Sequence, residues 1–294
     1  MGAIFMQLLI NGLIAGAIYS LIASGFSLIY STNKFMHFAH GAVMALTAYF
    51  TYFVFEGLGL GFVLSAILTL IFSALVGYLV NLLIYQPLRK RKASSTILLI
   101  ASVGLMILIE SIILLIFGAD VKTLNLIEAT KGISFLGAII TPLQILIIGV
   151  SLLILIFFFI FMKKSKMGKA MRAVADNREV AEIVGISSSK VYSWSFIIGS
   201  MISGVAGILI GLEQNLVPTM GTNLIIKGVA AVIIGGIGSV PGAIIGSFLL
   251  GIVENFGIWF LPSGYKDAIA FILLFIFLLI RPQGILGTKR RKEG

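Results

Sequence analysis

The sequence predicts an all-α integral membrane protein with about eight or nine transmembrane helices, some of them broken. Three observations predict it. Of 294 residues, 59% are hydrophobic and only 11% are charged, where a soluble domain carries about 25% charged residues. The apolar residues fall in runs of roughly 20, the length a helix needs to cross a hydrocarbon core about 30 Å thick. Glycine and proline interrupt some of these runs instead of bounding them. A soluble chain this apolar cannot cover its own surface. In lipid the solvent is itself hydrocarbon, and a helix satisfies its backbone internally.

Spans read in order near 4–30, 40–55, 61–85, 96–117, 143–161 and 192–212. The run 224–237 is short for a crossing and is broken by Gly235, Gly236, Gly238, Pro241 and Gly242, after which 243–260 and 268–280 follow. No Lys or Arg precedes Lys34, so the first run lacks the basic start of a signal peptide and is expected to stay as a span. The whole of 1–294 reads as one transmembrane domain.

The net charge is +10, but its distribution argues against nucleic acid. Basic residues cluster at 89–92, at Lys163, Lys164, Lys166, Lys169, Arg172, Arg178 and Lys190, and at Arg281 with 289–292. Each cluster abuts an apolar run, as cytoplasmic loops do. The segments 86–95, 162–190 and 281–294 are therefore placed in the cytoplasm. In 118–141, Asp120 and Glu128 cancel Lys122 and Lys131. In 213–227, Glu213 cancels Lys227. Both segments are placed outside, which gives nine crossings with an external N-terminus. The chain has no cysteine, so disulfides and thiolate chemistry are excluded.

The pairs Gly12/Gly16, Gly207/Gly211 and Gly242/Gly246 read as ordinary close helix contacts. Breaks at 31–38 and 235–242, one early and one late, fit an inverted-repeat transporter core.

Three groups of residues are candidates for function. In the loop 162–190, Asp176 is read as the cap of a short amphipathic helix, with Glu179 three positions on. Asn177, Arg178, Glu179 and Glu182 line its polar side, Val180, Ala181, Ile183 and Val184 its apolar side, and Gly185 stops it. Such a helix either docks into a partner protein or lies on the lipid surface. Residue physics leaves both open. His37, His40 and Gly41 sit at the first break, and the i, i+3 spacing suggests one helical face. A metal there is disfavoured, since no carboxylate or third ligand is near. Glu110 lies inside the fourth span, where an ionisable group is a functional candidate. Asn11, Tyr19 and Ser24 add polar groups to the first. No phosphate-binding loop, metalloprotease motif or catalytic triad occurs, so the chain shows no cofactor and no means of hydrolysing ATP.

At these residues the chain resembles the permease subunits of bacterial high-affinity branched-chain amino-acid ABC transporters, of the first-permease type. Asn11-Gly12-Leu13 and Gly16-Ala17-Ile18-Tyr19 match the opening, and His37-Phe38-Ala39-His40-Gly41 matches the Asn-Phe-Ala-His-Gly motif. The segments 168–177, 181–186, 235–246 and 281–287 follow in register. The resemblance implies a second related permease subunit, two cytoplasmic ATPase subunits, an extracytoplasmic solute-binding protein and a bacterial inner-membrane location. It also implies that 176–185 is the coupling helix. Two positions depart from the pattern: His37 replaces Asn, and Glu110 replaces Gln. A urea or short-amide importer and an ion-coupled secondary transporter stand as alternatives.

Overall fold

A computed structural model describes residues 1–124, 126, 132–135 and 137–287. Glu128, Lys131 and 289–292, which entered the charge reading, lie outside the described residues. The helices are α1 (Gly2–Asn33), α2 (Ala39–Tyr52), α3 (Phe62–Val80), α4 (Gln86–Lys90), α5 (Ser95–Phe117), α6 (Pro142–Lys164), α7 (Lys166–Asp176), α8 (Arg178–Ile183), α9 (Ser188–Glu213), α10 (Met220–Gly235), α11 (Val240–Gly257) and α12 (Lys266–Ile280). Between α5 and α6 lies an antiparallel hairpin of β1 (Ile133–Phe135) and β2 (Ala138–Ile140).

Each predicted span is a helix. Seven helical runs among the described residues are long and apolar enough to cross a membrane. One of them, Phe62–Lys90, joins α3 to α4 through a π turn at Asn81–Tyr85. The other two spans are short: α2 has 14 residues and α10 has 16. At 1.5 Å per residue α10 reaches only about 24 Å. It survives because it packs against α1, α2, α11 and α12 instead of standing in lipid.

α1 is the central helix, and every residue from Leu21 to Ile29 is buried. Small residues bring its neighbours close. A Cβ on Gly12 would lie 2.8 Å from the Ile252 Cα of α11, and one on Gly251 would lie 2.5 Å from the Gly12 carbonyl oxygen. Gly246 meets the Ala231 carbonyl of α10 in the same way, at 2.1 Å. Without a hydrophobic force between helices in lipid, such backbone approach supplies the packing. The outer helices α3, α5, α6 and α12 expose Ile71, Leu115, Phe157 and Ile280, as a lipid-facing ring should.

Polar contacts sort the loops onto two ends of the bundle. At one end, Lys122 and Leu216 pair their backbones at 3.1 and 2.7 Å, and the Gln7 side chain bonds the backbone of Ile139. At the other, Arg89 bonds Asn33, Lys34 donates to the Ala175 carbonyl at 2.5 Å, and Leu286 N donates to the Gly235 carbonyl at 2.8 Å. The described parts of the basic segments, 86–95, 162–190 and 281–287, share the second end. α10 runs from the first end to the second. Lys227, read as part of an exterior loop, instead lies inside α10. One Lys among apolar neighbours looks like a loop residue until its partners are seen.

Candidate functional site

Three clusters of polar side chains gather in the fold, and the sequence candidates divide among them.

The first is the loop at the basic end. α7 and α8 are separated by Asn177 alone, and Asn177 caps α8: its side chain accepts from Val180 N at 3.1 Å. Asp176 is not the cap. It closes α7 and is exposed, because the extended backbone that a cap requires falls one residue later, at φ −146°. Gly185, at φ +86°, ends the helix: Ile186 N reaches the Ala181 carbonyl at 2.9 Å and Gly185 N the Glu182 carbonyl at 3.0 Å. This is the two-bond stop that a left-handed residue permits. Arg178 and Glu182 pair at 2.9 Å, and Glu182 also accepts from the Ser188 hydroxyl. That hydroxyl and the Arg178 guanidinium hold the Glu182 carboxyl below the usual carboxylate range. Glu179 is exposed. Of the expected apolar face only Ala181 is buried; Val180, Ile183 and Val184 are exposed, Ile183 at 83%. α8 thus offers an apolar edge that none of the described residues covers.

The second cluster lies where α4, α9 and the break after α1 meet. The Arg89 guanidinium carbon sits 4.4 Å from the Tyr192 ring centre. Its nitrogens donate to Asn81 Oδ1 at 3.0 Å and to Asn33 Oδ1. Asn33 donates to Ser195 at 2.9 Å and Asn81 to Ser193 at 3.0 Å. Deeper in, Phe35, Tyr85 and Phe196 pack ring on ring, and the Tyr85 hydroxyl shares a 2.8 Å hydrogen bond with His37 Nδ1. The π turn at Asn81–Tyr85 turns both of its end residues inward, a common use of such turns. His37 and His40 are fully buried, but they do not share a helical face, because α2 begins only at Ala39. Their ring centres lie 6.2 Å apart, and among the described residues no third metal ligand joins them. A Cβ on Gly41 would lie 2.3 Å from the Gly221 carbonyl oxygen of α10. Gly41 is therefore a helix contact.

The third cluster is around Lys227 on α10. Its ammonium is 3.3 Å from Glu254 of α11 and 2.9 Å from Asp267 at the start of α12. The Tyr19 hydroxyl of α1 donates to Glu254 at 2.9 Å. The Glu254 side chain is 1% exposed, and an isolated charge so buried is expensive unless paired and hydrogen-bonded. Tyr19 was named from the sequence; Lys227, Glu254 and Asp267 were not.

The remaining candidates stand apart from these clusters. Asn11 accepts from Gln7 at 3.1 Å. Ser24 bonds back to the Ser20 carbonyl within α1, so it spends its hydroxyl locally. Glu110 accepts from Thr222 of α10 and borders a groove of about 360 Å³ with Ser111 and Pro218. The late break lies between α10 and α11. Gly235 ends α10, Gly236 and Gly238 take φ of +114° and +87°, Pro241 opens α11, and Gly242 N donates to Ser239 at 3.2 Å.

Comparison with known proteins agrees. The family model described as branched-chain amino acid transport system, permease component, matches residues 8–278, from within α1 to within α12. The high-affinity branched-chain amino acid transport system permease protein BraD of Pseudomonas aeruginosa is 32% identical, with 96% of each chain covered. The same figures hold for the permease protein LivH of Escherichia coli K12. The probable branched-chain amino acid transport permease protein LivH of Methanocaldococcus jannaschii is also 32% identical, over 92% of this chain and 89% of its own. No solved structure matches. The chain is a multi-pass membrane protein and belongs to the family of branched-chain amino acid transport system permeases.

Proposed function

We propose that this chain forms the translocation path of an ATP-driven importer for branched-chain and other hydrophobic amino acids. In this reading it pairs with a second related permease. Two cytoplasmic ATPase subunits drive the pair, and an extracytoplasmic binding protein delivers the solute. The membrane is the bacterial cytoplasmic one, with the basic end of the bundle inside. The observation that carries the reading is α8: a six-residue helix on the basic end, capped and stopped, with Ile183 and Val184 exposed. A short helix with an apolar edge and a charged border suits the groove of a partner protein. Asp176, Asn177, Arg178, Glu179, Ala181, Glu182 and Gly185, on α8 and flanking it, form the coupling element. Nucleotide-driven movement of α8 would tilt helices about the breaks at 34–38 and 236–239.

The test is reconstitution of the complete transporter in proteoliposomes. Glu179→Lys and Gly185→Pro should insert and assemble, then hydrolyse ATP without importing leucine. Normal uptake in both would remove the coupling role. Tight binding of urea, and none of leucine, by the cognate binding protein would move the substrate to a short amide. The Lys227–Glu254–Tyr19 group supports one second reading, ion-coupled transport. Uptake that persists without the ATPase and collapses with an uncoupler would favour it.

A further inference from the structure

The coupling reading needs a route from α8 to the helices that move, and the second cluster supplies one. Arg178 opens α8, and its guanidinium carbon lies 5.8 Å from the centre of the Tyr192 ring. Arg89 approaches the same ring at 4.4 Å. Tyr192 is 8% exposed, so it meets Arg89 where little water screens the contact, the condition under which an aromatic face attracts a guanidinium most. Arg178, with its side chain 58% exposed, meets the ring from the aqueous side. Arg89 is at the same time bonded to Asn33, the last residue of α1, and to Asn81, the first of the π turn. Arg89 also lies within 6.0 Å of the Phe35 and Phe196 ring centres. Phe35 stands in the break itself, 4.8 Å from Tyr85, which holds His37.

Contacts therefore run without a gap from α8 through Tyr192 and Arg89 to the break between α1 and α2. Each step has geometry that rigid displacement would change: a stacked guanidinium, a two-armed hydrogen bond, a ring stack. Arg89 serves as the hub because its planar fork bonds two acceptors while its face lies on a ring, which a lysine cannot do.

Resting on the coupling role of α8, we infer that Tyr192 and Arg89 are positioning residues for transport, transmitting movement of the coupling helix to the break at 34–38. Neither touches solute or nucleotide in this assignment. Their effect is on how much transport each ATP yields.

The test uses the assembled transporter in proteoliposomes and reads leucine imported per ATP hydrolysed. Complex yield and thermal midpoint are recorded for every variant. Tyr192→Leu should lower the ratio about tenfold, the scale of a desolvated cation–ring contact. Tyr192→Phe keeps the ring and should restore the ratio. Arg89→Lys keeps the charge and loses the fork, and should lower the ratio by a similar factor; it leaves the volume at Tyr192 untouched, and so separates the cation–ring contact from mere packing. The double variant should fall no further than either single. An unchanged ratio in Tyr192→Leu overturns the inference. So does a Tyr192→Phe as defective as Tyr192→Leu. Should Tyr192→Leu fail to assemble, Arg89→Lys decides alone, and an unchanged ratio there overturns it. Ile183→Asp, on the exposed edge of α8 and outside the relay, separates the two claims. If it uncouples while Tyr192→Leu and Arg89→Lys do not, the relay fails and the coupling helix stands. If it leaves the ratio intact, the coupling role itself fails.

Discussion

Lys227 shows what a single residue costs and contributes inside a membrane. Its charge is stabilised by Glu254 on one neighbouring helix and Asp267 on another. Removing one partner of a buried pair leaves the other uncompensated, which costs about 3–5 kcal/mol, whereas replacing both with apolar groups is often neutral. Lys227→Met should therefore depress the thermal midpoint of the detergent-solubilised protein strongly, and Lys227→Met with Glu254→Leu should recover most of the loss. Equal midpoints for the single and double variants would show that the pair is not the unit of stability. Glu182 gives a second prediction, on the aqueous side. Its carboxyl is held below the usual range first by the Ser188 hydroxyl and then by Arg178. A depressed folded pKa means these contacts are fully present above the ordinary glutamate range. They are lost as pH falls through the lowered value. A carbon-13 carboxyl titration of Glu182 should thus show a midpoint below that of a glutamate in an unfolded peptide. A midpoint at or above it contradicts the geometry.

At the scale of elements, packing between helices is set by where a Cβ is forbidden. A Cβ on Gly235 would lie 1.9 Å from the Gly242 carbonyl oxygen, and backbone cannot swing aside as a side chain can. Gly235→Ala should therefore cost about 1–3 kcal/mol and lower the yield of folded protein. Gly104 of α5 has nothing within 4 Å, so Gly104→Ala should be neutral or stabilising by up to about 1 kcal/mol. Thermal midpoints in one detergent compare them, and equal effects would show that close approach is not what the small residues supply. These glycines also mark what the sequence makes legible. The spans are readable because apolar runs of fixed length have one solution in lipid. The stop at Gly185 and the break at 236–239 are readable because only certain residues tolerate those backbones. The start of α8 is off by one residue, since Asp176 and Asn177 are both good caps and only backbone geometry chooses. The contacts of Tyr192 with Arg89, and of Lys227 with Glu254, join residues far apart in sequence. No local pattern announces them, and Lys227 alone imitates a loop.

Across the whole molecule, the claim with most consequence is that the bundle has two chemically distinct ends and that α10 connects them. At one end Lys122 pairs with Leu216; at the other Leu286 bonds Gly235, and Lys34 reaches Ala175. If the basic end is cytoplasmic, as positive-inside asymmetry requires, every loop has an assigned side. The chain has no native cysteine, so single cysteines report those sides without background. Val121→Cys and Asn215→Cys sit on exposed positions of the first end, and Ile183→Cys and Ile237→Cys on exposed positions of the second. A membrane-impermeant maleimide should label the first pair in intact cells and the second pair only in inside-out vesicles. Asn215 and Ile237 flank α10, so their labelling from opposite sides establishes its passage despite its length of about 24 Å. Labelling of both from the outside would make α10 re-entrant, contradict the place of Gly235 at the basic end, and remove the odd crossing on which a cytoplasmic C-terminal tail depends.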